Sequence, residues 1–504
     1  MGFLQKHGLS LWVTVCMVLV LAVYAFFASA GSWTHWQVPK RYYNELAAAF
    51  LEGRMDLGIQ APAELLSLSD PYDPQHVSSA ELKQFVKDNW DLSFYDGRFY
   101  VYWGPTPAVI LTVVKLIHRT NIADQYLAFG FLAGLLLFTA LLMLKMHHAF
   151  AANAPAALVL VSVLAAGLAL PMPWMMNRAR IYEAALAAGQ FFLIGGLFFA
   201  YTALDRPRPS LPWLLLAGVF WGCAIGSRLV TIVPAAFLVV TTLAWALRRS
   251  PPRQPLRGLV GYVLVLAGPV LAALLGLAWY NIARFGSPFE TGLRYQLTSW
   301  NLNRFYSDLF SFSYLPGNLL LYLMNPATFQ PRFPFLDTTV MSFPSWPGVA
   351  SIYHVENSIG ILVAMPLAIF AAVPIVRTFA RLPSLWKPDA QRTQDGDLRA
   401  WLVLSLVGIL ALSFGTLLLY FYVAVRYLAE LTPVLVLLSL LGIWDAYHCT
   451  EHRPLVRAAL LAAVVLLALV TVAMGVLLPF AEEHGTLLRF NPQLMRRLIA
   501  LFGR

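Results

Sequence analysis

Residues 90–107 read Trp90-Asp91-Leu92-Ser93-Phe94-Tyr95-Asp96-Gly97-Arg98-Phe99-Tyr100-Val101-Tyr102-Trp103-Gly104-Pro105-Thr106-Pro107 and run directly into the apolar stretch Ala108–Ile117. Two carboxylates, an arginine and a dense set of aromatic rings thus stand before a short oily run. How that run is read decides the fold. A helix that crosses a bilayer needs about 20 apolar residues. The run 105–118 is shorter and opens with Pro105 and Pro107.

The basic residues test the two readings. Suppose the run does not cross and the N-terminus is cytoplasmic. Then Lys145, Arg206, Arg208, Arg248, Arg249, Arg253, Arg257, Arg377, Arg381, Lys387, Arg392, Arg399, Arg453 and Arg457 all share the cytoplasmic side. If the run crosses, every later connector inverts and these residues move outside. The bias of Lys and Arg toward cytoplasmic loops selects the first reading. Residues 105–118 are therefore expected as a half-helix docked from the outer side, its backbone sheltered by protein or lining a cavity.

Working outward, the chain offers eleven expected spans: 10–30, 123–144, 153–172, 183–203, 211–226, 229–247, 258–281, 357–377, 400–420, 425–444 and 456–480. The expected fold is an all-α integral membrane bundle, one domain over 1–504, with two large outer-face loops at 31–122 and 282–356. The first loop carries amphipathic pieces at Arg41–Leu51 and Ala80–Lys87 that suit the membrane interface. The second carries another at Leu309–Met324. Asp70-Pro71-Tyr72-Asp73-Pro74 has the chemistry of a turn.

Composition agrees. Of 504 residues, 59% are hydrophobic and 12% charged, too few to cover a soluble surface of this size. The net charge of +10 sits mostly in short connectors, and no soluble basic face exists for nucleic acid. Cys16, Cys223 and Cys449 give neither a metal spacing nor a disulfide framework. No phosphate-binding GxxxxGK[ST] loop is present, which argues against ATP-driven transport by this chain alone. Ala28-Ser29-Ala30 resembles a signal-peptidase site, but the preceding run Leu9–Phe27 is longer than a cleaved h-region, so a retained first helix is expected.

Charges at membrane depth are costly and therefore candidate functional groups. Arginines grip phosphate oxygens in a bidentate way, and a carboxylate can take a hydroxyl proton. The candidates also have plain structural readings. Asp91 can cap a turn, and Asp96-Gly97 is a turn signal. Glu45 can be a solvated residue on an interfacial helix. Arg178 and Arg180 can snorkel from a span end. Arg228 is expected to pair with a carboxylate for packing, and His354 to be a loop residue. Asp70 and Asp73 are turn residues that as a pair could hold a divalent cation.

Taken in order, these pieces resemble the GT-C superfamily of membrane glycosyltransferases, which use polyprenyl-phosphate sugars. The resemblance rests on the order of features across most of the chain. A first span leads to the amphipathic piece Tyr43-Asn44-Glu45-Leu46-Ala47 through Phe50-Leu51-Glu52-Gly53-Arg54. Gly97–Tyr100 and the short helix Pro105–Leu116 follow. Then come Arg178–Glu183, Asn281-Ile282-Ala283-Arg284-Phe285-Gly286-Ser287-Pro288, and Arg426-Tyr427 ahead of Pro433.

The resemblance implies a transferase that moves a sugar from a polyprenyl-phosphate donor to an envelope glycan, lipid or protein. Arg426, Tyr427, Arg178 and Arg180 would hold the donor phosphate, supported by Glu183, Tyr182, Arg98 and Arg284. That superfamily places a catalytic Asp just before the first amphipathic helix, where this chain reads Val38-Pro39-Lys40-Arg41. The base would then be Asp91, with Asp96 and Glu45 as substitutes. A divalent cation, Mg or Mn, could assist, although no ligand cluster demands one. The expected surroundings are membrane lipids of a bacterial inner membrane, with the site on the periplasmic face. Two other readings stay open: a transporter or flippase of a lipid-linked saccharide, and a non-catalytic partner in glycan assembly.

Overall fold

The computed structural model describes residues 2–36, 41–118, 120–249, 256–340, 348–385, 394–482 and 485–502. Among them nine helices are long and apolar enough to cross a membrane: Gly8–Ala28, Asp124–Phe150, Ala157–Asn177, Ile181–Leu204, Leu229–Arg248, Leu259–Phe285, Asp395–Leu419, Thr432–Cys449 and Pro454–Ala481. In hydrocarbon only helices and closed barrels satisfy their own backbone, so this is an integral membrane helical bundle.

The other two expected spans are met by shorter elements. At 17 residues, Leu211–Ser227 lies at the lower limit for crossing. The expected span 357–377 is broken into a turn of helix at Ile361–Ala364, a 3-10 segment at Pro366–Ala371 and a helix at Ala372–Leu385. Pro366 explains the break, since proline cannot donate to the preceding turn. The span expected at 425–444 also starts later. Val425–Glu430 is a 3-10 segment, and the helix begins at Thr432 with Pro433 in its first turn, a position proline favours.

Residues 105–118 form the helix Thr106–Ile117, whose 12 residues rise only about 18 Å. It packs on the first-loop helix Tyr42–Leu51 and buries Pro107, Ala108 and Leu111 while Val109, Val113, Leu116 and Ile117 stay exposed. Its entry depends on a close backbone approach. A Cβ on Gly104 would strike the carbonyl of Gly226, and one on Gly226 would strike Thr106 Oγ1.

Helix Tyr42–Leu51 has no side-chain cap from its own N-terminal flank. Asp124, at the start of the next long helix, supplies it: the carboxylate accepts from the Tyr42 and Tyr43 amides at 3.0 and 3.1 Å. Asn44 adds bonds to Asn121 and Ile122 at 3.3 and 3.0 Å. Residues Val38–Lys40, where the resemblance looked for an acid, lie outside the described residues.

The ion pairs sort to two ends of the bundle. One end holds Lys145–Asp205, Arg249–Asp397, Arg377–Asp445 and Arg399–Asp445, all from connectors expected on the cytoplasmic side. The other end gathers the two long loops, the turns at 178–181 and 226–229, and the 3-10 segment Val425–Glu430.

Candidate functional site

The site starts from a short hairpin. Ser93–Tyr95 pairs antiparallel with Arg98–Tyr100, and Asp96 and Gly97 close it with φ of +50 and +71. Asp-Gly with both residues left-handed is the tight turn that suits strand twist. Asp96 is therefore a turn residue, exposed at the tip. The hairpin edge is covered by the second loop. Ser93 bridges Gln296, and its hydroxyl donates to Gly292 O at 2.8 Å.

Asp91 sits just ahead of this hairpin with φ +64. Its amide donates to Leu297 O at 2.9 Å, and Gln296 Nε2 donates to its carbonyl at 2.9 Å. A non-glycine residue held left-handed stores about 1–3 kcal/mol, persists only where the surroundings over-determine it, and such residues cluster at functional sites. The carboxyl is buried, which pushes its pKa up to about 7, while a Thr298 hydrogen bond and the charges of Arg426 and Arg180 pull the other way. Of the three acids expected as base, Asp91, Asp96 and Glu45, Asp91 is the one within electrostatic reach of those arginines.

The cluster is assembled by a two-residue parallel pairing of His354–Val355 with Tyr422–Val423. It places Glu356 against Arg426, whose Nη1 donates to both carboxylate oxygens at 3.1 Å. Tyr422 donates to Glu356 Oε1 at 2.8 Å. Burial opposes ionisation of Glu356, but Arg426 and these hydrogen bonds hold it below the usual carboxylate range. The Arg426 guanidinium also lies over the rings of Tyr182, Tyr422 and Tyr427 at 5.1, 5.6 and 5.3 Å. Its Nε is buried without a partner.

The turn 178–181 provides the second wall. Glu183, 1% exposed, accepts from the Arg180 amide at 3.0 Å and so starts the helix Ile181–Leu204. Arg178 pairs with Glu482 at 3.6 Å, and Trp174 Nε1 donates to the same carboxylate at 3.0 Å. Arg180 is half-buried, and among the described residues no carboxylate lies within ion-pair distance of it. Residues near the C-terminus close this wall. Asn177 donates to Pro479 O at 2.7 Å and accepts from the Leu487 amide at 3.0 Å.

Beside the cluster lies a cavity of about 270 Å³, lined by Pro105, Ile225, Leu229, Leu277, Leu293 and Leu417 among others. Tyr102 and Tyr427 belong to its wall and also flank the charged cluster. Exposed Leu229, Phe289 and Phe310 rim it. Its cations are already satisfied. Arg228 pairs with Glu430 at 2.8 Å, and Arg284 donates to Val101 O at 2.7 Å and Asn281 Oδ1 at 2.8 Å.

The expected site residues thus divide. Asp91, Arg426, Tyr427, Arg180, Arg178, Tyr182 and Glu183 come together. Asp96, Glu45, Arg98 and Arg284 lie elsewhere. Glu45 is exposed beside Tyr42 and Asp124, Arg98 makes a surface pair with Asp56 at 3.9 Å, and Arg284 straps the start of the half-helix. Arg228 has the packing role expected of it. Sequence reasoning placed Glu356 in the second loop but gave it no role, and it did not find Asp124 or Glu482. Arg426 alone gave a signal for a carboxylate partner. Asp70 accepts from Tyr72 N and Asn301 Nδ2, and Asp73 caps Gln75, so the pair is used in turn bonding.

Among the described residues no group of three or more His, Cys, Asp or Glu is placed to hold a metal ion. At the cluster itself, Asp91 and Glu356 face Arg426, Arg180 and Arg178, an arrangement that repels a cation. Among the described residues the donors at the cluster do not make up a metal site.

No family model matches the chain, and no curated protein matches it in sequence. Solved structures do. The oligosaccharyltransferase of Archaeoglobus fulgidus in the apo form is 14% identical with a TM-score of 0.51, over 98% of this chain and 60% of that one. The same archaeal protein, AglB, in complex with an inhibitory peptide and a dolichol-phosphate is 12% identical with a TM-score of 0.45, over 93% and 55%. ArnT from Cupriavidus metallidurans bound to undecaprenyl phosphate is 12% identical with a TM-score of 0.38, over 94% and 77%. The first shows a shared fold; the other two add nothing to that. This chain spans 60% of the length of the archaeal oligosaccharyltransferase.

Proposed function

We propose that this chain is a membrane glycosyltransferase that moves a sugar from a polyprenyl-phosphate donor to an acceptor in the cell envelope. The observation that supports it is a buried, backbone-strained carboxylate, Asp91, within electrostatic reach of Arg426 and Arg180. The phosphate-proximal end of the donor chain lies in the 270 Å³ cavity, whose rim carries the exposed apolar side chains Leu229, Phe289 and Phe310. Its phosphate is held by Arg180 and Arg426, with Tyr427 and Arg178 beside them.

Asp91 takes the proton of an acceptor hydroxyl. The oxygen attacks the anomeric carbon, and the bond from that carbon to the phosphate oxygen breaks with its electron pair. Polyprenyl phosphate departs with the new negative charge. Fixed cations aimed at charge that develops in the transition state are commonly the largest contribution to such a rate. Here arginines supply that charge, and no step runs through a metal. Inversion at the anomeric carbon follows from a single displacement.

The bundle sits in a bacterial inner membrane with its N-terminus inside and the cluster at the periplasmic face. The sorting of Lys145, Arg249, Arg377 and Arg399 to the opposite end supports that orientation. The test is mass spectrometry of polyprenyl-linked sugars and envelope glycans in cells with and without the protein. One sugar should vanish from a glycan while its polyprenyl-phosphate form accumulates. Accumulation of a finished lipid-linked glycan instead would overturn the transferase in favour of a flippase.

A further inference from the structure

A second, smaller cleft of about 140 Å³ opens beside Asp91. Its walls include Pro71, Tyr72 and Trp90 from the first loop and Leu297 and Thr298 from the second. It shares no lining residue with the 270 Å³ cavity, so both can be filled at once.

Three features give this cleft a direction. Leu297, on its wall, accepts from the Asp91 amide at 2.9 Å, and Trp90 and Thr298 flank that contact, so an occupant ends near Asp91. Trp90, the residue before Asp91, is 39% exposed, a large ring left open beside a buried acid. The walls are fixed before anything binds. Tyr72 donates to Phe94 O at 3.0 Å and packs on Tyr295 with centroids 5.8 Å apart, and Asn301 ties Asp70 to the second loop at 2.7 Å. A rigid slot with an exposed aromatic face suits a flat, partly apolar ring that carries hydroxyls. It offers no free strand edge to which an extended peptide could add. The nearby strand Ser93–Tyr95 is paired with Arg98–Tyr100 and bridged by Gln296.

We infer that the cleft at Trp90, Tyr72 and Thr298 is the acceptor subsite and that the acceptor is a saccharide, one pyranose ring lying on Trp90 with a hydroxyl at Asp91. This rests on the transferase reading and names its second substrate class. No new covalent step is added.

The test reads occupancy of the cleft separately from turnover. In a Cys223→Ser, Cys449→Ser background the full-length protein carries Lys83→Cys, an exposed position on the cleft wall that leaves Trp90 in place, and its modification by a maleimide is followed over time. The probe is the oligosaccharide fraction released by mild acid from the envelope of the same cells. It should slow labelling at least fivefold, while a tryptic digest of envelope proteins at equal mass should not. Protection by the peptides, or by neither mixture, overturns the proposal. In parallel, Trp90→Phe should retain transfer and Trp90→Ala should raise the acceptor KM tenfold or more with donor binding unchanged. A Trp90→Ala protein with an unchanged acceptor KM overturns it as well. If wild-type protein releases no polyprenyl phosphate at all, the transferase reading fails, and the labelling result still decides whether the cleft takes saccharide.

Discussion

Arg426 Nη1 donates to both oxygens of Glu356, each at 3.1 Å, across seventy residues of sequence. The pair is largely out of solvent, with side chains 8% and 19% exposed. Removing one partner of a buried pair costs about 3–5 kcal/mol, because the other charge is left uncompensated. Glu356→Ala should lower the thermal midpoint of the purified protein markedly, and Glu356→Gln, which keeps the Tyr422 bond, should lower it less. Equal midpoints for Glu356→Ala and wild type would mean that Glu356 does not hold Arg426.

Asp91 should give the pH dependence of turnover. Burial lifts its carboxyl to about 7. Below that value it carries its proton and cannot accept another; above it the carboxylate is available. The kcat should therefore rise with pH through about 7 and then level. Asp91→Asn should lower kcat by about 10²–10⁴, the usual contribution of a positioned base, and leave no rising limb. Kinetics from pH 5 to 9 on both proteins check this, and an unchanged limb in the variant would place the base elsewhere.

Arg228 and Glu430 form another buried pair, at 2.8 Å, with Glu430 2% exposed. Arg228 also lies over the Tyr427 ring at 5.3 Å, so this pair fixes the ring beside Arg426. Single alanine variants should each destabilise, while the double variant should cost less than their sum by about 0.5–3 kcal/mol, as expected for contacting groups. Additive losses would show that the pair is not coupled.

Gly104 meets Gly226 backbone to backbone. Gly104→Ala forces a methyl into that contact and should destabilise by about 1–3 kcal/mol, the range for overpacking. Gly53→Ala is a useful comparison, since no atom lies near its Cβ but its φ of +71 is unfavourable for alanine. Gly104→Ala should lose activity at a lower temperature than either wild type or Gly53→Ala.

The half-helix can be tested by sidedness. Ser78→Cys and Thr120→Cys flank Thr106–Ile117 at exposed positions. Both should label from the same side of the membrane with an impermeant maleimide, and native Cys449 from the opposite side. Opposite labelling of the first two would mean that the segment crosses.

Much of this architecture was legible because it depends on local composition. Span lengths, the short run 105–118, the Asp96-Gly97 turn and the lone Arg426 in an oily stretch are all readable one segment at a time. What was not legible depends on meetings between distant segments. Asp124 caps a helix that begins 82 residues earlier, and nothing near it announces that. Glu356 reaches Arg426 only because two-residue strands pair in parallel, too short to leave a periodic pattern. The broken span around Pro366 and the late start at Thr432 belong to the same class. Their apolar content reads as span, while proline and neighbouring loops decide where the helix begins.

The closure at Asn177 sets an order of events. Arg178 and Arg180 are translated well before their neighbours at Glu482 and Leu487, and a membrane protein is inserted from its N-terminus onward. Through most of synthesis the basic turn therefore stands open, with its counter-charge still inside the ribosome. Asn177 can accept the Leu487 amide, and Glu482 can meet Arg178, only when that late segment emerges. A chain stalled before residue 479 would lack the contacts that Pro479, Glu482 and Leu487 make to Asn177 and Arg178. That wall is thus the last part of the cluster to be built.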